Sequence, residues 1–493
     1  MILIAGLFAF QAERYAPDTE FIQGGYSSDT AIPVLMANGA DFKPFDFYYW
    51  GQDRFGSWPF LLYRLGGLST DLRFSPFQLY LGMYLLMHLS ILLYSWKKGP
   101  GLLLSILLLL HFWKGISTFL FDLAQPYGWQ LSMVFLAFAS IDGISRSSGG
   151  WLKNLRLVAF LLFSFLGIWL SPATILYLLP FAALQTLLQR PPSLSVQGWK
   201  VLATPIIAYG LHSLLRRWVV SYNSDSYFQS YETPLKWERK WIEPALQQIH
   251  GQILTPIESV LWIVIPGAAL AILLMHKSKR STLPAQFMAP LAMIGGSALF
   301  VAALLPLNWF AANEFGARYV ALPRFFLMLG SILLILRVPA LARIEAIRMV
   351  RNSRILLPLT LMAASAGIAF SLPPPSTSAA YLEKQQAAWR LQATFPGVPV
   401  VGNYWETYVY TSLQSIPSLP QPGIAQYQRT PFLVPEFLQA DRILVIHAGY
   451  ERSLKDDRPV SSFRFRGQDY TLDKAWALRV PPASLYLQRQ GQP

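Results

Sequence analysis

Long uninterrupted apolar segments recur along this chain from its first residue to about residue 370. A helix needs about 20 residues to cross the roughly 30 Å hydrocarbon layer of a membrane. Continuous apolar runs of this length, unlike alternating ones, predict helices and not strands. The chain is therefore predicted to be an all-α polytopic membrane protein. About eleven transmembrane helices are expected, at 1–12, 76–96, 100–120, 128–144, 155–171, 173–189, 201–219, 256–275, 286–306, 319–336 and 355–371.

The charge of the chain fits a membrane protein better than a nucleic-acid-binding protein. Only 13% of the 493 residues are charged, and the formal net charge is +14. The basic residues gather in short loops between the apolar segments and form no stripe with stacking aromatics. By the positive-inside rule these loops are cytoplasmic, so the chain is predicted to bind membrane lipid and no nucleic acid. Because the chain has no cysteine, disulfides and thiolate chemistry are excluded.

The loops on the opposite side are predicted to face outward from the cell membrane. They comprise residues 11–75, 114–127, 221–255 and 308–318, and the tail from residue 372 onward. The composition changes after "SLPPPSTS", and the tail contains the strand-like stretches "RILVIHAGY" and "SFRFRGQDY". We therefore predict a transmembrane domain over 1–371 and a small soluble α/β domain on the extracytoplasmic side over 372–493.

The first outer loop, residues 11–75, is acidic in a basic protein. It has eight carboxylates against five basic side chains, and "DFKPFDFYYWGQDRFGSWP" at 41–59 adds a dense group of aromatic rings. Such rings can stack on the apolar faces of a sugar while carboxylates accept hydrogen bonds from its hydroxyls. They can equally form an aromatic belt at the membrane surface with solvated charges around it. The stretch "SWPFLLYRLGGL" predicts an amphipathic helix in that interface.

The spacing of short motifs in this loop adds a resemblance to a known class. Asp29-Thr30-Ala31, then Gly39, then Tyr49-Trp50-Gly51-Gln52 and Gly56-Ser57 follow one another. This order resembles the first outer loop of the GT-C glycosyltransferases that depend on polyprenyl-phosphate sugars, in the branch of protein mannosyltransferases and lipid A aminoarabinose transferases. Thr30 stands where many relatives carry a second acid. We therefore predict no metal ligands and no cofactor, a divalent cation being the weaker alternative.

The resemblance implies a membrane glycosyltransferase that takes its sugar from a polyprenyl-phosphate-linked donor. The acceptor would be a lipid, glycan or protein hydroxyl on the outer face, and the reaction a single displacement with inversion. Asp29 would be the catalytic base and Asp122 a second acid that orients the substrates. Arg318 and Tyr319 would bind the donor phosphate. The predicted substrate-binding residues are Tyr49, Gln52, Asp53 and Arg54.

Each of these roles has an alternative based on the residues alone. Arg318 can snorkel to lipid headgroups, and Asp122 can pair with Lys114. Tyr404, Trp405 and Tyr408 resemble a Tyr-Trp-x-x-Tyr element that could line an acceptor groove, but burial in the core of the tail explains them more simply. The loop at 221–255 either contacts a substrate or caps the membrane domain. A flippase for lipid-linked sugars is the alternative function, although the ionisable residues cluster outside the spans.

Overall fold

A computed structural model describes most of the chain, in a set of residue ranges. They are 28–50, 55–66, 75–95, 106, 119–120, 122–123, 125–146, 149–187, 196–222, 236–278, 287–335, 379–402, 404–413, 423–425, 430, 433, 439–446, 462–465, 468–479 and 482–488. The boundary predicted at residue 372 falls outside these ranges.

Helices dominate the described part of the chain. The α-helices are α1 (Ser28–Gly39), α2 (Trp58–Gly66), α3 (Ser75–Ser95), α4 (Tyr127–Arg146), α5 (Gly150–Leu170), α6 (Ile175–Leu187), α7 (Val196–Tyr222), α8 (Ile242–Gln248), α9 (Pro256–Ser278), α10 (Met288–Leu304), α11 (Asn308–Ala312), α12 (Ala321–Ile335), α13 (Ala379–Thr394) and α14 (Tyr404–Ser412). Short 3-10 turns lie at Pro44–Phe47, Pro172–Thr174, Arg239–Trp241 and Ala317–Val320, and a π-helical turn lies at Ile249–Ile253.

Helices lie over eight of the eleven predicted spans. The other three, which are 1–12, 355–371 and nearly all of 100–120, fall outside the described residues. By length and composition, two described segments, Gly150–Leu170 and Ala317–Leu334, are long and apolar enough to cross a membrane. Four shorter apolar helical segments accompany them. The total of eleven stays a prediction.

Several helices expose apolar faces to their surroundings. The exposed side chains recur at helical spacing, so each set forms one face. They are Trp151, Leu155, Val158 and Leu162 on α5, Ile207, Leu211, Leu214 and Trp218 on α7, and Val260, Ile263 and Val264 on α9. Apolar faces of this length are unusual on soluble monomers and suit contact with lipid chains.

Aromatic side chains fill the centre of the helical bundle. Phe138 of α4 packs on Phe181 of α6 with ring centroids 4.1 Å apart, and Phe135 contacts Phe326 of α12 at 5.8 Å. Where α10 and α12 meet, a Cβ placed on Gly330 would lie 2.8 Å from the Pro290 carbonyl oxygen. A glycine is needed there because small residues allow helix backbones in a membrane bundle to approach closely. Aromatic contacts in the bundle thereby join α4 to both α6 and α12.

The C-terminal part contains a six-stranded mixed sheet. Its strands are β1 (Val400–Gly402), β2 (Gly423–Ala425), β3 (Arg442–Ile446), β4 (Ser462–Phe465), β5 (Gln468–Arg479) and β6 (Pro482–Gln488), in the spatial order β2-β1-β3-β6-β5-β4. β1 pairs in parallel with β2 and β3, and the remaining pairs are antiparallel. Helix α14 packs against β1, β2 and α1. The tail therefore rests on the helix that begins the first outer loop.

Candidate active site

The first turn of α1 carries Asp29, the predicted base. A carboxylate is favoured at this end of a helix because the unpaired N–H groups give it a partial positive charge. Asp29 is half-buried, whereas Thr30 and the following residues up to Val34 are buried against α2 and α14. Four residues after Asp29 comes Pro33, which has no N–H to donate to the Asp29 carbonyl. The Tyr49 hydroxyl donates to that carbonyl over 2.5 Å.

A buried carboxylate organises the loop that holds Tyr49. Asp46 is completely buried, and its Oδ2 accepts hydrogen bonds from the backbone N–H groups of Asp41 and Lys43, both at 3.0 Å. Its Oδ1 accepts from Nε1 of Trp50 at 2.8 Å. Between the two backbone donors, Phe42 adopts a left-handed conformation with φ of 60°. Burial raises the pKa of the Asp46 carboxyl above its usual value, although these hydrogen bonds act in the opposite direction.

The same loop is hydrogen-bonded to the end of α5. The Gly56 N–H donates to the Trp169 carbonyl at 2.8 Å, and Nε1 of Trp169 donates to the Phe47 carbonyl at 2.8 Å. A Cβ on Gly56 would lie 2.4 Å from the Trp169 carbonyl oxygen, which explains the need for glycine in this Gly-Ser element. Nε1 of Trp58, on the helix predicted from "SWPFLLYRLGGL", donates to the Leu166 carbonyl at 3.1 Å.

A tight turn before α12 presents Arg318. Glu314 and Phe315 both have positive φ, 55° and 51°, which is a strained conformation for residues other than glycine. Oδ1 of Asn313 accepts from the Tyr319 hydroxyl at 2.9 Å and from Nη2 of Arg318 at 3.3 Å. The Arg318 guanidinium also lies over the Tyr319 ring, 4.8 Å from its centroid. This turn therefore holds the forked cation in one orientation.

The structure brings the predicted catalytic and phosphate-binding residues into one cluster. Arg318 interacts electrostatically with Asp29 and with the hydroxyls of Tyr319 and Tyr127. Tyr127 in turn interacts electrostatically with Asp122. Asp29, Asp122 and Arg318 are all half-buried. A permanently charged guanidinium near the Asp29 carboxylate combines an anion-binding group with a group that can accept a proton.

The predicted substrate-binding residues are placed less completely. Tyr49 is buried, with 6% of its surface exposed, and its hydroxyl contacts the Asp29 backbone as described above. Gln52, Asp53 and Arg54 lie outside the described residues. Within the described residues there is no group of three or more His, Cys, Asp or Glu side chains that could hold a metal ion.

Two further predicted segments make their described contacts outside this cluster. The buried Tyr408 is hydrogen-bonded to Thr430 at 3.3 Å, in keeping with a place in the tail's core. Trp237 forms a short bridge with Leu307 and stays 71% exposed. The backbone N–H of Lys236 donates to Oδ1 of Asn308 at 2.9 Å. The 236–241 segment is thus attached to the chain that leads into the Arg318 turn.

Sequence reasoning missed several residues that shape the site. Tyr127 and Asn313 carried no signal that separated them from other polar residues at helix ends. A third case is the buried ion pair between Glu258 and Arg324, whose Oε1 and Nη2 atoms are 2.6 Å apart. Glu258 also accepts from the Thr255 N–H at 2.7 Å, so "TPIE" is a capping box with proline at the first helical position. This motif could have predicted where α9 begins.

The chain shares its architecture with a solved membrane glycosyltransferase. ArnT from Cupriavidus metallidurans matches with a TM-score of 0.55 in its undecaprenyl phosphate-bound state and 0.51 in its apo state. Both matches have 11% sequence identity and cover 98% of this chain and 97% of ArnT. The chain has the GT-C fold. The resemblance predicted from the first outer loop is therefore confirmed for the fold.

Comparison of sequences alone does not identify the GT-C fold in this chain. No protein-family model matches the chain, and no curated protein sequence matches it significantly. Among solved structures there is also the Archaeoglobus fulgidus oligosaccharyltransferase tethered with an acceptor peptide, with 12% identity and a TM-score of 0.40. That match covers 90% of this chain and 68% of the oligosaccharyltransferase.

Proposed function

We propose that this protein is a multi-pass membrane glycosyltransferase that moves a sugar from a polyprenyl-phosphate-linked donor to a hydroxyl acceptor at the outer face of the membrane. The observation that carries this proposal is the juxtaposition of Asp29 and Arg318 in one half-buried cluster. The GT-C fold agrees with it, and one ArnT structure is bound to undecaprenyl phosphate. The acceptor class, which is a lipid, a glycan or a protein, and the outward orientation belong to the proposal.

The donor phosphate would bind at Arg318 and Tyr319. A guanidinium suits this task because it stays charged and can offer two parallel N–H donors to phosphate oxygens. Oδ1 of Asn313 accepts from both the Arg318 guanidinium and the Tyr319 hydroxyl, and so holds the guanidinium in the turn. As the bond between the anomeric carbon and the phosphate oxygen breaks, negative charge grows on the departing polyprenyl phosphate. Arg318 would stabilise that charge where it develops.

The acceptor hydroxyl would be activated by Asp29. Its oxygen attacks the anomeric carbon from the side opposite the phosphate, and its proton passes to the Asp29 carboxylate, so the configuration at the anomeric carbon inverts. Asp29 is suited to this role because a carboxylate can accept a proton and is favoured at the start of a helix. Asp122, linked to the cluster through Tyr127, would orient the acceptor or the donor. No metal or cofactor takes part in this scheme.

The test is release of free polyprenyl phosphate by purified protein in lipid bilayers, supplied with a panel of polyprenyl-phosphate sugars and acceptors. Asp29→Asn should lower turnover by about 10²–10⁴-fold, the usual contribution of a general base. Asp41→Asn is the matched control, because Asp41 is an exposed carboxylate in the same loop. If correctly folded Asp29→Asn protein turns over at the wild-type rate, the proposal is wrong.

A further inference from the structure

The carbonyl of Asp29 lies in a helix that cannot satisfy it in the usual way. In an α-helix each carbonyl accepts from the N–H four residues later. For Asp29 that residue is Pro33, which has no N–H and whose ring pushes the carbonyl away from the helix axis. The first turn of α1, the one that holds the proposed base, thus lacks one of its regular hydrogen bonds.

Tyr49 supplies a donor at this position. Its hydroxyl donates to the Asp29 carbonyl over 2.5 Å across 20 residues of sequence. Tyr49 is held in turn by its own backbone, whose N–H donates to the Phe55 carbonyl at 2.7 Å next to the bridge between Tyr48 and Gly56. The phenol therefore connects the loop fastened to α5 with the turn that carries Asp29.

We infer that Tyr49 is a positioning residue for the Asp29 base, taking the place of the N–H that Pro33 lacks. This inference rests on the proposed function and assigns Tyr49 a different role from the substrate contact predicted from the sequence. The hydroxyl fixes the direction of the Asp29 backbone, so it sets where the carboxylate meets the acceptor hydroxyl. A helical N–H would bind this carbonyl from within α1. Here the donor belongs to the loop, so the position of the loop determines the orientation of the carbonyl.

The inference predicts a specific kinetic effect of Tyr49→Phe. Removal of the hydroxyl leaves the Asp29 carbonyl without this donor, and the first turn of α1 loosens. The value of kcat should fall about tenfold, the equivalent of one buried hydrogen bond to the base's own backbone. The KM for the donor and the affinity for polyprenyl phosphate should stay within twofold of wild type, because Arg318 and Tyr319 are held by Asn313.

A double-mutant cycle with Pro33→Ala makes the inference falsifiable. Alanine restores an N–H four residues after Asp29, so the Tyr49 hydroxyl becomes dispensable. In the Pro33→Ala background, Tyr49→Phe should lower kcat by less than about twofold. If Tyr49→Phe lowers kcat equally in both backgrounds, the hydroxyl acts on the substrate instead and the inference is wrong. The control is Tyr63→Phe, which removes a hydroxyl of the same loop that donates to Gln78, and it should leave kcat unchanged.

A measurement without substrate separates this inference from the proposed function. Amide hydrogen exchange, followed by mass spectrometry of peptides covering 28–39, reports on the opening of α1. Tyr49→Phe should speed amide exchange at the start of α1. Adding Pro33→Ala to this variant should return the exchange to the wild-type rate. Unchanged exchange in Tyr49→Phe would overturn the inference even if Asp29→Asn is inactive. An active Asp29→Asn protein would overturn the proposed function whatever the exchange shows.

Discussion

The two halves of the candidate site are held by different kinds of contact. Asp29 is oriented over a long range, because the Tyr49 hydroxyl that contacts its carbonyl belongs to a loop fastened to Trp169 on α5. Arg318 is oriented locally, by Asn313 five residues earlier and Tyr319 next to it. The first half depends on tertiary docking of a loop. The second depends on a short turn with strained backbone and on the anchoring of α12 behind it.

This difference separates two steps of the proposed reaction. Damage to loop docking should misplace the base and slow proton transfer, while phosphate binding survives. Damage to the Arg318 turn should weaken donor binding, while turnover at saturating donor changes less. Polyprenyl phosphate affinity and kcat are therefore the two measurements that distinguish the halves.

The largest effect is expected from the ion pair behind the Arg318 turn. Arg324 on α12 and Glu258 on α9 are both buried, and Glu258→Ala would leave the guanidinium without this partner. Breaking a buried pair by removing one member costs about 3–5 kcal/mol. Thermal unfolding of the protein in lipid should show this loss together with weaker polyprenyl phosphate binding. Replacing both residues by methionine should recover much of the stability, since no buried charge then remains.

The control for the ion pair is Glu243→Ala, which removes an exposed carboxylate on α8 and should change stability by less than about 0.5 kcal/mol. If Glu258→Ala is no less stable than this control, the pair does not anchor α12.

The next largest effect is expected where the loop meets α5. In Gly56→Ala the new methyl group would overlap the backbone of Trp169, which cannot move aside as a flexible side chain can. Overpacking of this kind costs about 1–3 kcal/mol. The loop should shift, kcat should fall, and polyprenyl phosphate affinity should persist. Gly210→Ala on α7 is the control, because nothing lies within 4 Å of its Cβ position. Equal loss of phosphate affinity and kcat in Gly56→Ala would contradict the separation of the two halves.

The sequence could predict the parts of this molecule that depend on local pattern. Apolar segments of membrane-spanning length predicted helices that the structure places over most of the described chain, and α2 lies where "SWPFLLYRLGGL" predicted it. The spacing of motifs in the first loop predicted the GT-C fold. Asp29, Asp122, Arg318 and Tyr319 were selected from that resemblance, and their roles remain proposals.

The contacts between distant residues could not be predicted. Asp29 and Asp46 are the same residue type in one acidic loop, yet Asp29 is half-buried in the cluster while Asp46 is fully buried among backbone donors. Burial depends on the rest of the fold, so the composition of the loop cannot distinguish Asp29 from Asp46. In the same way "TPIE" indicates a helix start, but the partner of Glu258 lies 66 residues later. The hydroxyl of Tyr49 donates to a carbonyl 20 residues earlier, a contact that the local sequence pattern does not indicate.

A smaller effect is expected at Asn313. In Asn313→Asp a carboxylate would replace the amide oxygen beside Arg318 and offset the positive charge that the donor phosphate needs. Polyprenyl phosphate affinity should fall about tenfold, equivalent to about 1.4 kcal/mol, and added salt should reduce the difference. The value of kcat at saturating donor should stay near wild type. Glu314→Gln, at the exposed neighbouring position, is the control. Wild-type affinity in Asn313→Asp would show that Arg318 does not bind the phosphate in this orientation.

The smallest effect expected is a dependence of stability on pH that arises from Asp46. Because burial raises its pKa in the folded protein, the native state keeps this proton to higher pH than the unfolded chain does. Between the ordinary pKa of about 4 and the raised value, the native state binds more protons, so rising pH lowers the stability contributed by this group. Above the raised value the cost is constant.

Asp46→Asn removes this titration and isolates its contribution. The variant loses the acceptor for one of its three donors and should be less stable than wild type at low pH by about 1 kcal/mol. As the pH rises from about 4 to the raised pKa of Asp46, the wild type should lose part of that advantage. Thermal midpoints of both proteins across this range give the difference directly. An advantage that grows with pH would mean that the three hydrogen bonds outweigh burial and that the ionised carboxylate is the form on which the loop is built.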